Sequence, residues 1–370
     1  MIKALLTIAL MLQPVFALAQ STKIRIGYLP VTNQTELIAD ELGLYKKHGL
    51  DVELVLFQTG PAAIQGLLSG DLQAVESAVV ASLNLARQGI PLYFLTTGGM
   101  NTPATPAGTI IVRPDESRIK SFSDLKGRKI AQLGKGTITH LRLLSAIRMA
   151  ELQPSDVAEI HAPFPAMGGL LQSGQVDAAY AWPPYDTIML QMGQGKLLTT
   201  DAAWNPYSVI NVFTVRKDWA DRNEKSVRQL VRVNVEANRW INSHPERARD
   251  ILGRRLKLQP KVAAEMRMFH FPRNGYQLMP SIWENYFLMV SSGQMKPLPS
   301  PSAVIESYWI DPARKFIQPV LDEMGIEEDR IANEMLNTAL PNLPQPVQTY
   351  WATWEKTMAA SQTEAQGVKR

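Results

Sequence analysis

The chain contains no cysteine. Disulfides, thiol nucleophiles and thiolate metal sites are excluded, as is the lipid-modified cysteine that tethers many exported bacterial proteins. Histidine is scarce: His48, His140, His161, His244 and His270, with no HExxH-type metal spacing among them. No basic stripe with interleaved aromatics occurs and the formal net charge is only +4, so nucleic acid is not an expected partner. No Gly-Lys-Ser/Thr triplet with phosphate-loop spacing is present. After the first twenty residues no run is long and apolar enough to span a bilayer. Neither a metal nor an organic cofactor is expected.

What is present begins with a distinctive leader. Lys3 is the only charge in residues 1–19; an apolar run, Ala4 to Leu12, follows, then Pro14 and the small-x-small pattern Ala17-Leu18-Ala19. This reads as a cleavable secretory signal cut after Ala19. The alternative, an uncleaved anchor helix, has a run short for spanning. With no cysteine for a lipid anchor, the mature chain is expected to be a monomer free in the periplasm. Of its 370 residues 45% are hydrophobic and 19% charged, enough for a packed core and two domains of ordinary size.

Strand and helix signals then alternate. Lys23 to Tyr28 alternates polar and apolar. A helical stripe (Leu37, Ile38, Leu42, Leu44) runs to Gly49, and a strand over 52–56 follows. Thr59-Gly60-Pro61 opens a helix, with Pro61 suited to its first turn. A short strand over 72–77, a helix over 79–87 and a strand over 92–95 complete the first block, which predicts a mostly parallel sheet covered on both faces. After a Pro/Thr loop, 109–113 is a strong strand. A second block then has strands near 129–133, 159–162, 177–181 and 196–198, with helices between them. Residues 209–215 form another strong strand. From Asp218 onward the pattern is helical; Pro-rich 341–346 breaks it, and residues after about 360 are polar.

Two blocks joined by extended segments near 107–113 and 208–216 predict two lobes with two crossings and a cleft between them. Lobe one is expected to take residues 20–108 and 214–370, lobe two 109–213. Ligands sit beyond strand carboxyl ends in open α/β sheets, which selects Tyr28, Gln58, Ser77, Gly134 and Trp182. The turn Gly134-Lys135-Gly136-Thr137-Ile138-Thr139-His140 joins a strand to a helix. Free N–H donors of a first helical turn, glycine and a hydroxyl suit a polar or anionic group, though an ordinary helix cap fits as well. Trp182 can wall a pocket or fill a core. Glu76 is a cleft residue or a carboxylate at a helix start. Asn211 is a polar side chain in an apolar strand and needs a partner. For His140 an orienting role fits better than catalysis.

A set of stretches carries a family resemblance: Ile24-Arg25-Ile26-Gly27-Tyr28, Gly43-Leu44-Tyr45-Lys46-Lys47-His48-Gly49-Leu50, Leu67-Leu68-Ser69-Gly70-Asp71, Ser123-Asp124-Leu125-Lys126-Gly127, Thr137-Ile138-Thr139-His140 and Gly174-Gln175-Val176-Asp177-Ala178-Ala179-Tyr180-Ala181-Trp182. Over roughly residues 23–245 the chain resembles periplasmic substrate-binding proteins of ABC importers, in the branch handling taurine, aliphatic sulfonates, nitrate and thiamine-pyrimidine precursors. The resemblance implies an α/β, two-lobed, type II venus-flytrap fold with two crossover strands and a helical C-terminal region. It implies a small-molecule ligand, permease and ATPase partners, and no catalysis. It places Gln58, Thr59, Gly60, Thr137, Thr139, His140, Trp182 and the surroundings of Asn211 on the cleft; Tyr28, Glu76, Ser77 and Gly136 join them from the residue-level reading.

Two departures bear on the ligand. Taurine-type members have a carboxylate on the return strand where this chain has Asn211, and a Ser-Ser pair where it has Val79-Val80. A sulfonate, taurine-like or related anion is the main expectation; nitrate, a thiamine-pyrimidine or another neutral heterocycle is the alternative. A pyrimidine-synthase-like enzyme of the same fold is disfavoured by the missing cysteines and the signal.

Overall fold

The computed structural model describes residues 23–326. The expected signal segment, the 341–346 break and the tail after residue 360 lie outside the described residues.

The first block contains β1 (Ile24–Tyr28), α1 (Thr35–Glu41), α2 (Leu44–Lys47), β2 (Val52–Leu56), α3 (Gly60–Ser69), β3 (Ala74–Ala78), α4 (Val79–Arg87) and β4 (Leu92–Thr97). One helix was expected up to Gly49; there are two, because Gly43 sits at φ +67° and leaves the helical region. The local signals for α3 are all in place: Thr59 accepts from the Ala62 N–H at 3.4 Å, Pro61 occupies the first turn, and Gly70 caps the end at φ +90°.

The chain leaves through β5 (Met100–Asn101) and enters the second block: β6 (Thr109–Val112), β7 (Lys129–Gln132), α5 (Ile138–Met149), β8 (Ala158–His161), α6 (Phe164–Gln172), β9 (Ala178–Ala181), α7 (Tyr185–Gln191) and β10 (Lys196–Thr200). It returns through β11 (Ser208–Val209) and β12 (Asn211–Arg216), and β11 pairs antiparallel with β5, so the two crossings are hydrogen-bonded to each other.

The sheets have the same plan. One runs β2-β1-β3-β12-β4 and the other β8-β7-β9-β6-β10. Three parallel strands are followed by a strand that arrives from a crossing, then by the block's last strand. The crossing strands β12 and β6 are antiparallel to both neighbours. The expected mostly parallel order is therefore interrupted once in each sheet, because a strand entering from the other block runs the opposite way.

The helical remainder comprises α8 (Lys217–Arg222), α9 (Glu224–Ser243), α10 (Pro245–Arg255), α11 (Pro260–Glu265), α12 (Met279–Ser291), α13 (Pro301–Ile305) and α14 (Gln318–Met324), with π-helical turns at Glu306–Ile310 and Ala313–Ile317. Helix α9 buries Val227, Leu230, Val231 and Val235, a helical stripe packed with the first sheet's Ile24, Ile26, Phe213 and Val215. The same face carries Asn234 and Asn238, whose amides donate to Thr96 Oγ1 (2.9 Å) and the Thr97 carbonyl (3.2 Å) at the end of β4. Helix α12 packs on α4, α5 and β11, so it touches both blocks and one crossing. The two sheets and these helices present the strand ends of both blocks to a common cavity.

Candidate functional site

A cavity of about 430 Å³ lies where the two blocks face each other. Its walls begin at helix starts. Gly60 and Pro61 open α3, Ala78 precedes α4, Thr137 and Ile138 open α5, and Phe164 opens α6; all line the cavity. Each start offers main-chain N–H donors and a partial positive charge. Two further walls are helical stripes: Pro61, Ile64, Gln65 and Leu68 on α3, and Ala81, Asn84, Leu85 and Gln88 on α4. Both follow the i, i+3, i+4, i+7 spacing of one helix face.

The turn before α5 is tightly organised. The Thr137 hydroxyl donates to the Gly134 carbonyl at 2.6 Å, accepts from the His140 main-chain N–H at 3.2 Å, and lies 2.9 Å from Thr139 Oγ1. Gly136 is at φ +77°, a conformation glycine alone adopts cheaply. Opposite, Trp182 follows β9; its ring is tilted against Phe269 with centroids 6.0 Å apart, and its buried indole N–H reaches toward the Tyr180 hydroxyl. A hydrogen bond from Thr32 Oγ1 to the Pro183 carbonyl (3.3 Å) joins the blocks beside it.

Among the described residues no lysine, arginine or histidine lines this cavity, and the ionisable side chain on it is Glu76 on β3. Glu76 is 3% exposed and Glu36 on α1 only 1%. The two carboxyls face each other, and Glu76 is also reached by the Thr35 main chain and the Asn211 amide. Burial pushes Glu36 up to about 7. Burial, reinforced by the charge of Glu36, pushes Glu76 well above the usual carboxylate range. Glu36 closes a buried polar run, Thr32-Asn33-Gln34-Thr35-Glu36. Within it Gln34 Oε1 accepts from the Leu29 N–H, and the Thr35 hydroxyl donates to Asn238 Oδ1. Among the described residues no group of three or more His, Asp or Glu is placed to hold a metal, and no helix is long and apolar enough to cross a membrane.

The sequence profile of the NMT1-like family matches residues 17–254. The chain belongs to the NMT1-like family. Its relatives are named as binding proteins. A putative binding protein of Brucella abortus (strain 2308) is 26% identical over 266 residues, which are 68% of this chain and 77% of that protein. The taurine-binding periplasmic protein of Escherichia coli K12 is 24% identical over 232 residues, 62% of this chain and 69% of that one. A nitrate import ATP-binding protein of Synechocystis is 24% identical over 238 residues, 60% of this chain and 35% of that protein.

Solved structures share the fold of this NMT1-like chain. The periplasmic nitrate-binding protein of Synechocystis PCC 6803 superposes with a TM-score of 0.69 at 16% identity, covering 86% of this chain and 92% of that one. The periplasmic aliphatic sulphonate binding protein of Escherichia coli gives 0.63 at 22% identity, covering 80% and 91%. A desulfurization enzyme gives 0.60 at 17% identity, covering 82% and 99%. The fold is thus that of periplasmic binding proteins, as the resemblance implied, and it also carries an enzyme.

Of the residues nominated from the sequence, Gly60, Glu76, Ser77, Gly136, Thr137, Thr139, Trp182 and Asn211 line the cavity. The Ser77 hydroxyl is already engaged, 2.7 Å from Thr214 Oγ1 and 3.0 Å from Ser82 Oγ. Tyr28, Gln58, Thr59 and His140 do not line it. Gln58 and Thr59 are exposed, Thr59 serving as the cap of α3. His140 takes part in the turn through its main chain, while its ring lies on the far side of α5, 3.4 Å from Glu159 Oε2, in a second hollow with Lys135 and Arg148. Asn33, Gln65, Asn84 and Gln88 line the cavity and were not nominated. The available signal was an amide recurring on an otherwise apolar helix face.

Proposed function

We propose that this protein is the solute-binding component of an ABC importer and acts in the periplasm. It captures a small organic solute, sulfonate- or taurine-like or a related anion, and presents it to a membrane permease driven by an ATPase. The observation that carries this reading is the convergence of four helix starts on one cavity between the two blocks. Main-chain N–H groups of a turn that the Thr137 and Thr139 hydroxyls hold in shape would meet an acidic head. The apolar stripes of α3 and α4, with Phe164 and Trp182, would take the carbon skeleton.

Residues 20–108 with 214–370 would move as one lobe and 109–213 as the other, pivoting on the paired crossings β5 and β11. We read the chain as a binder and not an enzyme. The cavity's one hydroxyl beside the carboxyl, Ser77, is bonded to Thr214 and Ser82 and to no base.

The test is a thermal-shift panel of alkyl and aryl sulfonates, taurine, nitrate, carboxylates and thiamine pyrimidines on the mature protein. A ligand at 100 times its Kd adds about 2.7 kcal/mol. A binding ligand should also shrink the radius seen by X-ray scattering. Thr137→Val and Trp182→Ala should each weaken binding while the fold survives. A flat panel, or unchanged affinity in both variants, would overturn the reading.

A further inference from the structure

The floor of the cavity holds two acids in contact. Glu76 reaches the cavity from β3, and the buried Glu36 carboxyl of α1 faces it from behind. Two carboxyls that meet out of water cannot both ionise; a proton on one lets it donate to the other. Among the described residues no cation pairs with either carboxyl. The other partners of Glu76 are neutral, the Asn211 amide and the Thr35 main chain. Charged groups on the neighbouring helices are engaged elsewhere. Arg255 of α10 lies 2.7 Å from Asp40 and 3.5 Å from Glu41, and Glu236 of α9 pairs with Lys47 and His48. Tyr45 of α2 is buried, and its hydroxyl is pushed up by that burial and by the charges of Glu36, Asp40 and Glu76, so it stays neutral. The chain also reserves room for the pair: a β-carbon at Gly98 would fall 1.4 Å from Glu76 Oε1.

We propose that Glu36 and Glu76 form a proton-holding pair beneath the solute, and that the protein captures its anion together with a proton. This rests on the reading of the cavity as an anion site and adds a second bound species to it. While the pair is fully protonated, an anion meets the helix starts with no opposing charge below it. As pH rises the pair loses a proton to solvent, and the negative charge left on a carboxylate repels the anion. The reverse follows by linkage: an anion in the cavity disfavours that charge, so its binding draws a proton from solvent onto the carboxylate oxygen. Burial holds Glu36 at about 7, which sets the transition around neutral pH. The sign is fixed: affinity for the anion is greatest on the acid side and falls as pH rises.

Isothermal titration calorimetry of the mature protein tests this with propanesulfonate and with nitrate, both ionised throughout, in buffers free of sulfonates. In the wild-type protein Kd should rise about tenfold between about pH 5.5 and about pH 8.5, the effect of a bound charge that shifts the pair's pKa by about one unit. The double variant Glu36→Gln/Glu76→Gln keeps the shape of the pair and cannot ionise. Its Kd should stay level, and at about pH 8.5 should match the wild-type value at about pH 5.5 within about threefold. A wild-type Kd independent of pH, a slope that survives in the double variant, or weak binding by that variant at every pH overturns the inference and leaves solute capture standing. If neither probe binds the wild-type protein at the acid end, the inference is overturned, and the wider thermal-shift panel decides solute capture on its own. Carbon-13 NMR of the wild-type protein gives a readout that needs no folded double variant. The Glu76 carboxyl carbon, assigned by its loss in Glu76→Gln, should titrate above the ordinary carboxylate range and move further upward with propanesulfonate. A Glu76 carboxyl that titrates in the ordinary range, or that ignores the bound anion, overturns the inference.

Discussion

A β-carbon on Gly98 would lie 1.4 Å from Oε1 of Glu76 and 3.3 Å from Cβ of Asn211. Gly98 follows β4 at the start of the first crossing, and its N–H donates to the Asn211 carbonyl at 3.2 Å. The three residues come from three separate segments that meet at the cavity floor.

Gly98→Ala is therefore expected to displace the Glu76 carboxyl. Overpacking of a buried site of this kind costs about 1–3 kcal/mol, measurable as a shift of the urea midpoint at constant m-value. In a Glu76→Ala background the same substitution should cost much less. Additive effects in the double-mutant cycle would show that the two sites do not share the space.

Stability should fall as pH rises from about 5 to 7. Burial raises Glu36 to about 7, and it raises Glu284 to about 7 against the opposing charge of Arg142. In the unfolded chain both titrate near the ordinary carboxylate value, about 4.3. Between those limits the folded state holds more protons, so each rise in pH favours unfolding, at up to about 1.4 kcal/mol per pH unit per proton. Asp221 acts oppositely. Its slight burial is outweighed by Lys217, Lys315 and Tyr93, which hold it at about 2; its contribution is present above about pH 4 and lost as pH falls toward 2. The melting temperature should peak near pH 5, and Glu36→Gln should flatten the slope from 5 to 7. A melting temperature level across that range would contradict the burial account.

Arg142 on α5 is 1% exposed and donates to Ser208 Oγ at 2.6 Å and to the Val209 carbonyl at 3.4 Å on the return crossing. Burial raises the acids Asp201 and Glu284 above their usual range, and the charge of Arg142 opposes that rise. Arg142→Met should cost about 1–3 kcal/mol, because it removes the charged donor of Ser208 and the Val209 carbonyl and the cation nearest those acids. Adding Glu284→Gln should recover part of the loss in a denaturation cycle. A single-variant cost under about 1 kcal/mol would mean that the guanidinium contributes little there.

The helices and strands were legible because their signals are local. Val79 to Arg87 read as a helix from its stripe and from Gly89, which sits at φ +70° just beyond it. The crossings were expected near 107–113 and 208–216; the first lies earlier, at Met100–Asn101, because 109–112 is already a strand of the second sheet. The return strand's direction was not legible, since pairing partners are chosen by the other block. The turn from Gly134 to His140 showed its glycine and threonine but not the orientation of the imidazole, which α5 turns toward Glu159.

By itself the sequence determined the two-block α/β plan and most of its helices and strands, because periodicity, caps and turn residues act within a few residues of each other. Only the tertiary structure decided the character of the cavity. Glu36 sits on α1 and Glu76 on β3, and each carboxyl is ordinary until the fold removes water from both and brings them together. The amides of α3 and α4 became a wall only when those two helices were set facing one space. Burial and long-range proximity set the charge state of a group, and neither is written in the residues beside it.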